Sequence, residues 1–249
     1  MNFQKFCCAV LVFATMVAVG SASAASCSNA TLKGVAGSLD AGFNAGVPEA
    51  TLSQFTADGK GSLSGTATNS KNGTITTGIT FTGTYSISKN CTGSYTETFP
   101  NGYTASGNFV LDDTKKGVQM IRTDSGFVKA GFTLDQGAVT CGATGKKATF
   151  AANLTGTING IGPAAVVGQA ILDGKGNISG TGTFSLNGTI VTGSITGTYT
   201  ENADCTGTAQ ITPQGFSTLN FNFVVVNVGK EILLIETDSG TTVSGTMQQ

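Results

Sequence analysis

Apolar and hydroxyl-bearing residues alternate along residues 74–88, which read TITTGITFTGTYSIS. The odd positions are largely apolar, as at Ile79, Phe81 and Tyr85, whereas the even positions are almost all Thr or Ser. A period of two residues is typical of a β-strand with one packed face and one exposed face. The same alternation returns over residues 189–200. Both segments are therefore predicted to be antiparallel strands.

Turn-forming pairs divide the chain into short segments of this kind. Asp-Gly occurs at 58–59 and 173–174, and Asn-Gly occurs at 72–73 and 187–188. These pairs favour tight hairpins, and their spacing predicts about eight strands in each half of the chain. A series of hairpins can bury one face and remove its open edges by closing into a barrel. We predict two tandem up-and-down β-barrels, with two-sheet sandwiches as the alternative.

The chain is an internal duplication. Four motifs recur at an offset of 114 or 115 residues: DGKG at 58 and 173, GTY at 83 and 197, CTG at 91 and 205, and TDSG at 123 and 237. A repeat of this length indicates two copies of one folding unit. We predict that the first unit covers residues 27–139 and the second covers residues 140–249.

The cysteines repeat with the units. Cys27 and Cys91 are 64 residues apart, and so are Cys141 and Cys205. Of the three pairings that four cysteines allow, only Cys27–Cys91 with Cys141–Cys205 places the same bond in both units. The alternative for Cys27 is a lipid-anchored cysteine, which the matching position of Cys141 disfavours.

Residues 1–24 are predicted to be a secretory signal peptide. Lys5 precedes an apolar run from Phe6 to Val19, and an Ala-x-Ala cleavage site ends at Ala24. The run is shorter than the ~20 residues that a membrane-spanning helix needs. We therefore expect a secreted, periplasmic or cell-surface protein whose disulfides form in an oxidising compartment. No transmembrane segment is expected in the mature chain.

Composition removes several classes of function. The chain has no His and no Trp, only 11% of its residues are charged, and its net charge is -1. Without His, neither a Ser-His-Asp triad nor an imidazole-ligated metal is available. Without a basic cluster, nucleic acid is not an expected partner. No catalytic residue, metal ligand or cofactor is predicted.

The repeated motifs have structural explanations. Asp-Ser-Gly at 124–126 and 238–240 is similar to the aspartic-protease motif, but Arg-Thr and Glu-Thr precede it instead of apolar residues. The Asp-Gly-Lys-Gly segments lack the carboxylates of a calcium loop and are predicted to be turns. Tyr85 and Tyr199 occupy equivalent apolar-face positions and are the weak candidates for ligand binding. Core packing with a bonded hydroxyl is the favoured role for both.

The two units differ near their ends. In the second unit, both faces of residues 221–226 and 232–235 are apolar, whereas the first unit carries Asp112, Asp113 and Arg122 in this region. We expect the outer face of these second-unit strands to be covered by the first unit or by another molecule. A locally thick core is the alternative. Self-association through the second repeat is one way to cover such a face.

The tandem motifs DGKG, GTY, CTG and TDSG resemble those of uncharacterised secreted bacterial β-repeat proteins over nearly the whole mature chain. The predicted architecture is similar to that of calycins, a likeness of fold that carries no function. Our first hypothesis is an exported non-enzymatic protein that acts in binding or surface structure. The alternatives are a carrier of a small apolar ligand and a barrel isomerase or cyclase. A pocket with several buried acids or bases would count against the first hypothesis.

Overall fold

The computed structural model describes residues 26–114, 117–142 and 147–249. The predicted signal peptide lies outside these ranges. Sixteen strands and two short 3-10 turns make up the regular structure of the described residues. The first eight strands are β1 Lys33–Asn44, β2 Val47–Asp58, β3 Ser62–Lys71, β4 Thr74–Ile87, β5 Thr92–Thr98, β6 Thr104–Leu111, β7 Gly117–Arg122 and β8 Phe127–Asp135. The other eight are β9 Ala148–Ile158, β10 Gly162–Leu172, β11 Asn177–Leu186, β12 Thr189–Glu201, β13 Thr206–Pro213, β14 Leu219–Val226, β15 Glu231–Glu236 and β16 Thr241–Gln248. The 3-10 turns are Asn29–Thr31 and Asn227–Gly229.

The strands form two closed antiparallel barrels of eight strands each. Each strand pairs with its neighbours in sequence, and β1 pairs with β8 as β9 pairs with β16. The predicted pair of up-and-down barrels is confirmed, and the sandwich alternative is wrong. Closure satisfies the hydrogen-bonding groups of every edge strand, which a two-sheet arrangement would leave open.

The repeated turns hold the hairpins as the sequence predicts. The Asp58 Oδ1 atom accepts hydrogen bonds from the backbone N–H groups of Lys60, Gly61 and Ser62 at 2.6–2.9 Å. Asp173 does the same for Lys175 and Asn177. Both side chains therefore serve as turn caps, in which the carboxylate satisfies backbone donors that the tight turn leaves unpaired.

A β-bulge in β4 distinguishes the first barrel from the second. The pairing of β3 with β4 slips by one residue between Ala67 and Asn69, next to Gly78 in the left-handed region at φ +67°. The pairing of β11 with β12 is unbroken. This extra residue explains why the offset between the repeats changes from 115 to 114 along the strand. It also interrupts the predicted alternation, because Ile75 now lies opposite Ser70 on the outer face.

The barrels contact each other through their outer faces. Leu39, Leu52 and Ala50 of the first barrel pack against outward-facing residues of β14 and β15, namely Val224, Val226, Leu233 and Ile235. Polar contacts flank this cluster, including Asn222 Nδ2 to Thr68 Oγ1 at 2.9 Å. The first barrel is therefore what covers the second unit's doubly apolar strands. The approach is close, because a Cβ atom at Gly37 would lie 2.6 Å from Val226 Cγ1.

Both predicted disulfides are present. Cys27 is bonded to Cys91 and Cys141 to Cys205, each across 64 residues. Cys27 belongs to residues 26–32, which cross one end of the first barrel. This segment is held there by Tyr85 and by the Asn29 Oδ1 atom, which accepts a hydrogen bond from the Ile87 N–H at 2.8 Å. The bond thus fastens the segment that closes this end.

Removing one disulfide should lower the free energy of unfolding by about 2–5 kcal/mol, because the unfolded chain regains the entropy of a long open loop. The test is urea unfolding of Cys27→Ala/Cys91→Ala and of Cys141→Ala/Cys205→Ala. Dithiothreitol should destabilise the wild type by a comparable amount for each bond and leave a variant without either bond unchanged. A free energy of unfolding that differs by less than about 0.5 kcal/mol between either variant and the oxidised wild type would contradict the expectation.

Candidate functional site

The first barrel encloses a cavity of about 680 Å³. This volume lies within the range of about 300–1,000 Å³ that is usual for small-molecule sites. The side formed by β4–β8 is largely aromatic but also carries Glu97 and Arg122, and the side formed by β1–β3 is polar and charged. The apolar wall consists of Ile79, Phe81, Tyr95, Phe99, Tyr103, Met120 and Phe127. The polar wall includes Ser38, Asp40, Asn44, Glu49, Thr51, Ser53 and Asn69.

The cavity faces the end of the barrel opposite the Cys27–Cys91 bond. Its lining includes Asn44 and Lys71 at the ends of β1 and β3, Pro100 and Asn101 in the β5–β6 turn, and Phe127 at the start of β8. These residues surround the entrance. Residues 26–32 cross the other end, so the barrel resembles a cup whose floor is the N-terminal segment.

A buried ion-pair cluster forms part of the polar wall. Lys129 on β8 is almost fully buried, and its Nζ atom lies 3.0 Å from Glu49 Oε1 and 3.1 Å from Asp40 Oδ2. It also donates a hydrogen bond to Thr51 Oγ1 at 2.8 Å. Gly42 is the common neighbour of Glu49 and Lys129 in the sheet. The absence of a side chain between them lets the two charges meet.

The pKa of Glu49 lies below its usual value. Burial alone would raise the pKa, but the charge of Lys129 and hydrogen bonds to the carboxylate outweigh burial. Asn44 Nδ2 donates one of these bonds, at 2.7 Å. Glu49 therefore stays ionised at neutral pH and holds Lys129 in place.

Arg122 forms a second charged group at the inner end of the entrance. Its Nε and Nη2 atoms donate to Asp124 Oδ2 at 3.0 Å and 2.6 Å, and Nη2 also donates to the Tyr103 hydroxyl at 3.2 Å. The guanidinium carbon lies 4.6 Å from the centre of the Phe127 ring. Burial works against the charge of Arg122, yet Asp124 and Tyr103 raise its pKa. Arg122 is thus a permanently charged member of the wall, and its charge is paired with Asp124.

Glu97 is the unusual acid of the site. It lies on β5 two residues after Tyr95, and both side chains line the cavity. Burial, followed by the charge of Asp40, raises the pKa of Glu97 to about 7, against the opposing effects of Arg122 and Lys129. Because the folded state holds this proton more tightly than the unfolded chain, Glu97 reduces stability as pH rises from 4.5 to about 7. Burial likewise raises the pKa of Tyr95.

The second barrel lacks these charges at the equivalent positions. Strand pairing aligns Asp40, Glu49, Glu97 and Lys129 with Leu154, Ala164, Ile211 and Val243 respectively. All four replacements are apolar and contribute to a hydrophobic core that fills the interior of the second barrel. One ancestral interior has therefore become a charged cavity in one copy and a packed core in the other.

Glu236 is the exception in the second barrel. It occupies the position of Arg122, is 3% exposed, and its Oε1 atom has no hydrogen-bond partner among the described residues. Burial and the nearby Asp238 raise the pKa of Glu236 to about 7. The sequence analysis missed Glu97 and Glu236. A position-by-position comparison of the two repeats would have marked both as charge differences on inward-facing strand positions.

The two tyrosines singled out from the sequence lie outside the large cavity. Tyr85 is 5% exposed, and its hydroxyl donates to the carbonyl groups of Leu32 at 2.7 Å and Asn29 at 3.1 Å. Tyr199 packs against the core of the second barrel. Burial raises the pKa of each phenol. In this structure Tyr85 anchors the floor of the first barrel.

The two Asp-Ser-Gly motifs are used separately. Asp124 accepts a hydrogen bond from the Ser106 N–H at 2.9 Å, whereas Asp238 accepts from the Asn220 N–H at 2.7 Å. Each carboxylate thus joins two hairpins of its own barrel and has local partners. The motifs serve as structural turns.

One group of three side chains among the described residues has metal-ligand spacing, formed by Cys141, Glu201 and Cys205. Both sulfur atoms are bonded to each other, so neither is available as a thiolate ligand. Across the described ranges, no helix has the length and apolar character needed to cross a membrane. Comparison of the chain with protein-family models, curated proteins and solved structures returned no match.

Proposed function

We propose that the chain is an exported binding protein that holds a small organic molecule inside its first barrel. The observation that carries this proposal is the half-apolar, half-charged cavity of about 680 Å³. Burying charged groups lowers the stability of the folded state, and an open cavity provides no packing contacts that would offset this loss. The filled interior of the duplicate indicates that this fold does not need the cavity. The proposal extends the small-ligand carrier hypothesis to a ligand that is only partly apolar.

The role that we propose for the second barrel is structural support of the first. Its core is filled with apolar side chains, and its outer face carries the contacts to the first barrel. Export is supported by the two disulfides, which persist in oxidising compartments. The predicted leader over residues 1–24 agrees with such a route.

Filling the cavity should abolish binding while leaving the fold intact. Asn69→Phe introduces the residue that the second barrel carries at the equivalent position, Phe184. We expect the wild type to bind the neutral dye Nile red at one molecule per chain, with a fluorescence increase, and the variant to bind at least about tenfold more weakly because the ring occupies the cavity. Thr80→Phe, on the exposed face of β4, is the matched control and should bind like the wild type. Equal binding by all three proteins would contradict the proposal, as would a wild type that binds neither Nile red nor the dansyl probes described below.

A barrel isomerase or cyclase is the second candidate. It is favoured by one observation, the pairing of Glu97 with Tyr95 in the cavity, because a carboxyl group with a pKa of about 7 can both accept and donate a proton at neutral pH. The buried acids and bases of this cavity also weigh against a purely structural protein. Chromatography with tandem mass spectrometry, applied to a bound molecule before and after incubation with the protein, distinguishes the candidates by retention time and fragmentation. A binding protein returns the molecule unchanged, and an isomerase returns a rearranged product of the same mass.

A further inference from the structure

The charges inside the first barrel point to a class of ligand, an inference that rests on the proposed function. We propose that the cavity selects an organic ammonium ion with an apolar body, and that Glu97 is its counter-ion. The argument depends on which charges of the cavity already have partners and which do not.

Both cations of the cavity are already paired with carboxylates. Lys129 is shared by two carboxylates, Asp40 and Glu49, at 3.1 Å and 3.0 Å. Arg122 donates two hydrogen bonds to Asp124 and a third to Tyr103. An anionic ligand would have to compete with these carboxylates for either cation and would lie close to their negative charges. Because breaking a buried ion pair is strongly unfavourable, an anion is a poor fit for this cavity.

Glu97 is the acid that lacks a partner. Among the described residues, no hydrogen bond or ion pair involves its carboxyl group, and only longer-range charges act on it. The side chain nevertheless lines the cavity from near the end of β5. A carboxyl group that faces the cavity without a protein donor is stabilised by a ligand that supplies the hydrogen bond. An ammonium group in the cavity would supply both the donor and the opposite charge.

The groups facing Glu97 leave an excess of negative charge. Titratable or charged side chains surround it from β1, β2, β4, β5, β7 and β8 and from the β7–β8 turn: Asp40, Glu49, Tyr85, Tyr95, Arg122, Lys129 and Asp124. Asp40, Glu49 and Asp124 balance Lys129 and Arg122 with one negative charge left over, before Glu97 itself ionises. Lys71 lies at the exposed end of β3, where water and salt screen its charge. The interior potential therefore favours a cation.

The apolar wall suits the rest of such a ligand. Phe99 packs between Phe81 and Tyr103 in tilted geometry, with ring centres 5.9 Å and 5.7 Å away, which produces a continuous aromatic surface beside Glu97. Aromatic faces attract ammonium groups and also bury hydrocarbon. The same wall would hold the body of the ligand while its ammonium group meets Glu97.

The test compares three fluorescent probes that share a dansyl group and a similar flexible chain. Dansylcadaverine ends in an ammonium group, its N-acetyl derivative is neutral, and the dansyl amide of 6-aminohexanoic acid ends in a carboxylate. At pH 8 we expect the ammonium probe to bind about tenfold more tightly than the neutral probe, and the acid probe to bind more weakly still. Dissociation constants from fluorescence titration provide the measurement.

Two further readouts assign the selectivity to Glu97. The affinity of the ammonium probe should rise about tenfold between pH 6 and pH 8, because Glu97 ionises in this range while the probe keeps its charge. Glu97→Gln should abolish both the pH dependence and the preference for the ammonium probe. Glu201→Gln, which changes a partly buried glutamate of the second barrel, is the matched control and should retain both.

Each failure has a separate meaning. If the three probes bind equally, or the acid probe binds best, the inference is wrong and the proposed function stands. If Glu97→Gln leaves the preference intact, Glu97 is not the counter-ion and the inference is likewise overturned. If neither these probes nor Nile red binds to the wild type, the proposed function itself fails.

Discussion

Replacing Lys129 with methionine should lower the free energy of unfolding by about 3–5 kcal/mol at pH 7, because the change leaves Asp40 and Glu49 buried without their cation. The pKa of Glu49 would then rise in the folded state, because the charge of Lys129 would no longer oppose the effect of burial. A carboxyl group with a raised pKa in the folded state lowers the free energy of unfolding as pH rises above its pKa in the unfolded chain. The penalty should therefore be small near pH 3.5 and complete at pH 7. Urea unfolding at these two pH values measures the difference.

A triple variant separates the missing charge from the missing side chain. Asp40→Leu/Glu49→Ala/Lys129→Val installs the residues that the second barrel carries at these positions. Apolar replacements of a whole buried ion-pair cluster are often neutral or stabilising. We expect the triple variant to be within about 1 kcal/mol of the wild type, or more stable, at both pH values. A Lys129→Met penalty that is the same at pH 3.5 and pH 7 would show that packing, and not charge, is what Lys129 supplies.

Leu233→Ala should lower the free energy of unfolding by about 2–5 kcal/mol, although the side chain points away from the interior of its own barrel. Leu233 is completely buried in the contact between the barrels, among Leu39, Leu52 and Val226. The variant leaves a cavity at this contact and should reduce the cooperativity of unfolding between the barrels. Urea unfolding, followed by calorimetry, measures both effects.

Val167→Ala is the control for the interface prediction. Val167 also points outward from the second barrel, but it is 59% exposed. Its truncation should change the free energy of unfolding by less than about 0.5 kcal/mol, because little surface returns to water. If both variants lose the same small amount, the apolar contact between the barrels does not contribute to stability in solution.

The fold could be predicted from the sequence because its determinants are local. Alternating side chains, Asp-Gly and Asn-Gly turns and a repeated cysteine spacing all act within one hairpin or one repeat. The apolar outer strands of the second unit also indicated a covered face. The sequence pattern could not choose between the first barrel and another molecule, since that choice depends on how two closed surfaces meet.

The cavity could not be predicted in the same way. Asp40 and Lys129 are far apart in the chain and meet only because β1 pairs with β8 when the barrel closes. Glu97 belongs to a Thr-rich strand, and the sequence of this strand does not indicate which of its residues face the interior. The bulge at Gly78 adds a further difficulty, because it reverses the facing of the residues that precede it and brings Thr76 to the entrance. Which charged side chains face the interior therefore depends on the strand register, and the register is determined only when the barrel closes.

The hydrogen bonds between the barrels have a consequence for the entrance. The β3–β4 turn at one side of the opening is tied to the second barrel, since Gly240 N donates to Gly73 O at 2.9 Å and Asn159 Nδ2 donates to Asn72 O at 3.0 Å. The β5–β6 turn at the other side carries Tyr103, which is 45% exposed and has no such contact among the described residues. The second barrel thus fixes the position of one turn at the entrance of the first barrel. A ligand that enters the cavity therefore passes one turn that is braced by the second barrel and another that is held by contacts within the first barrel alone.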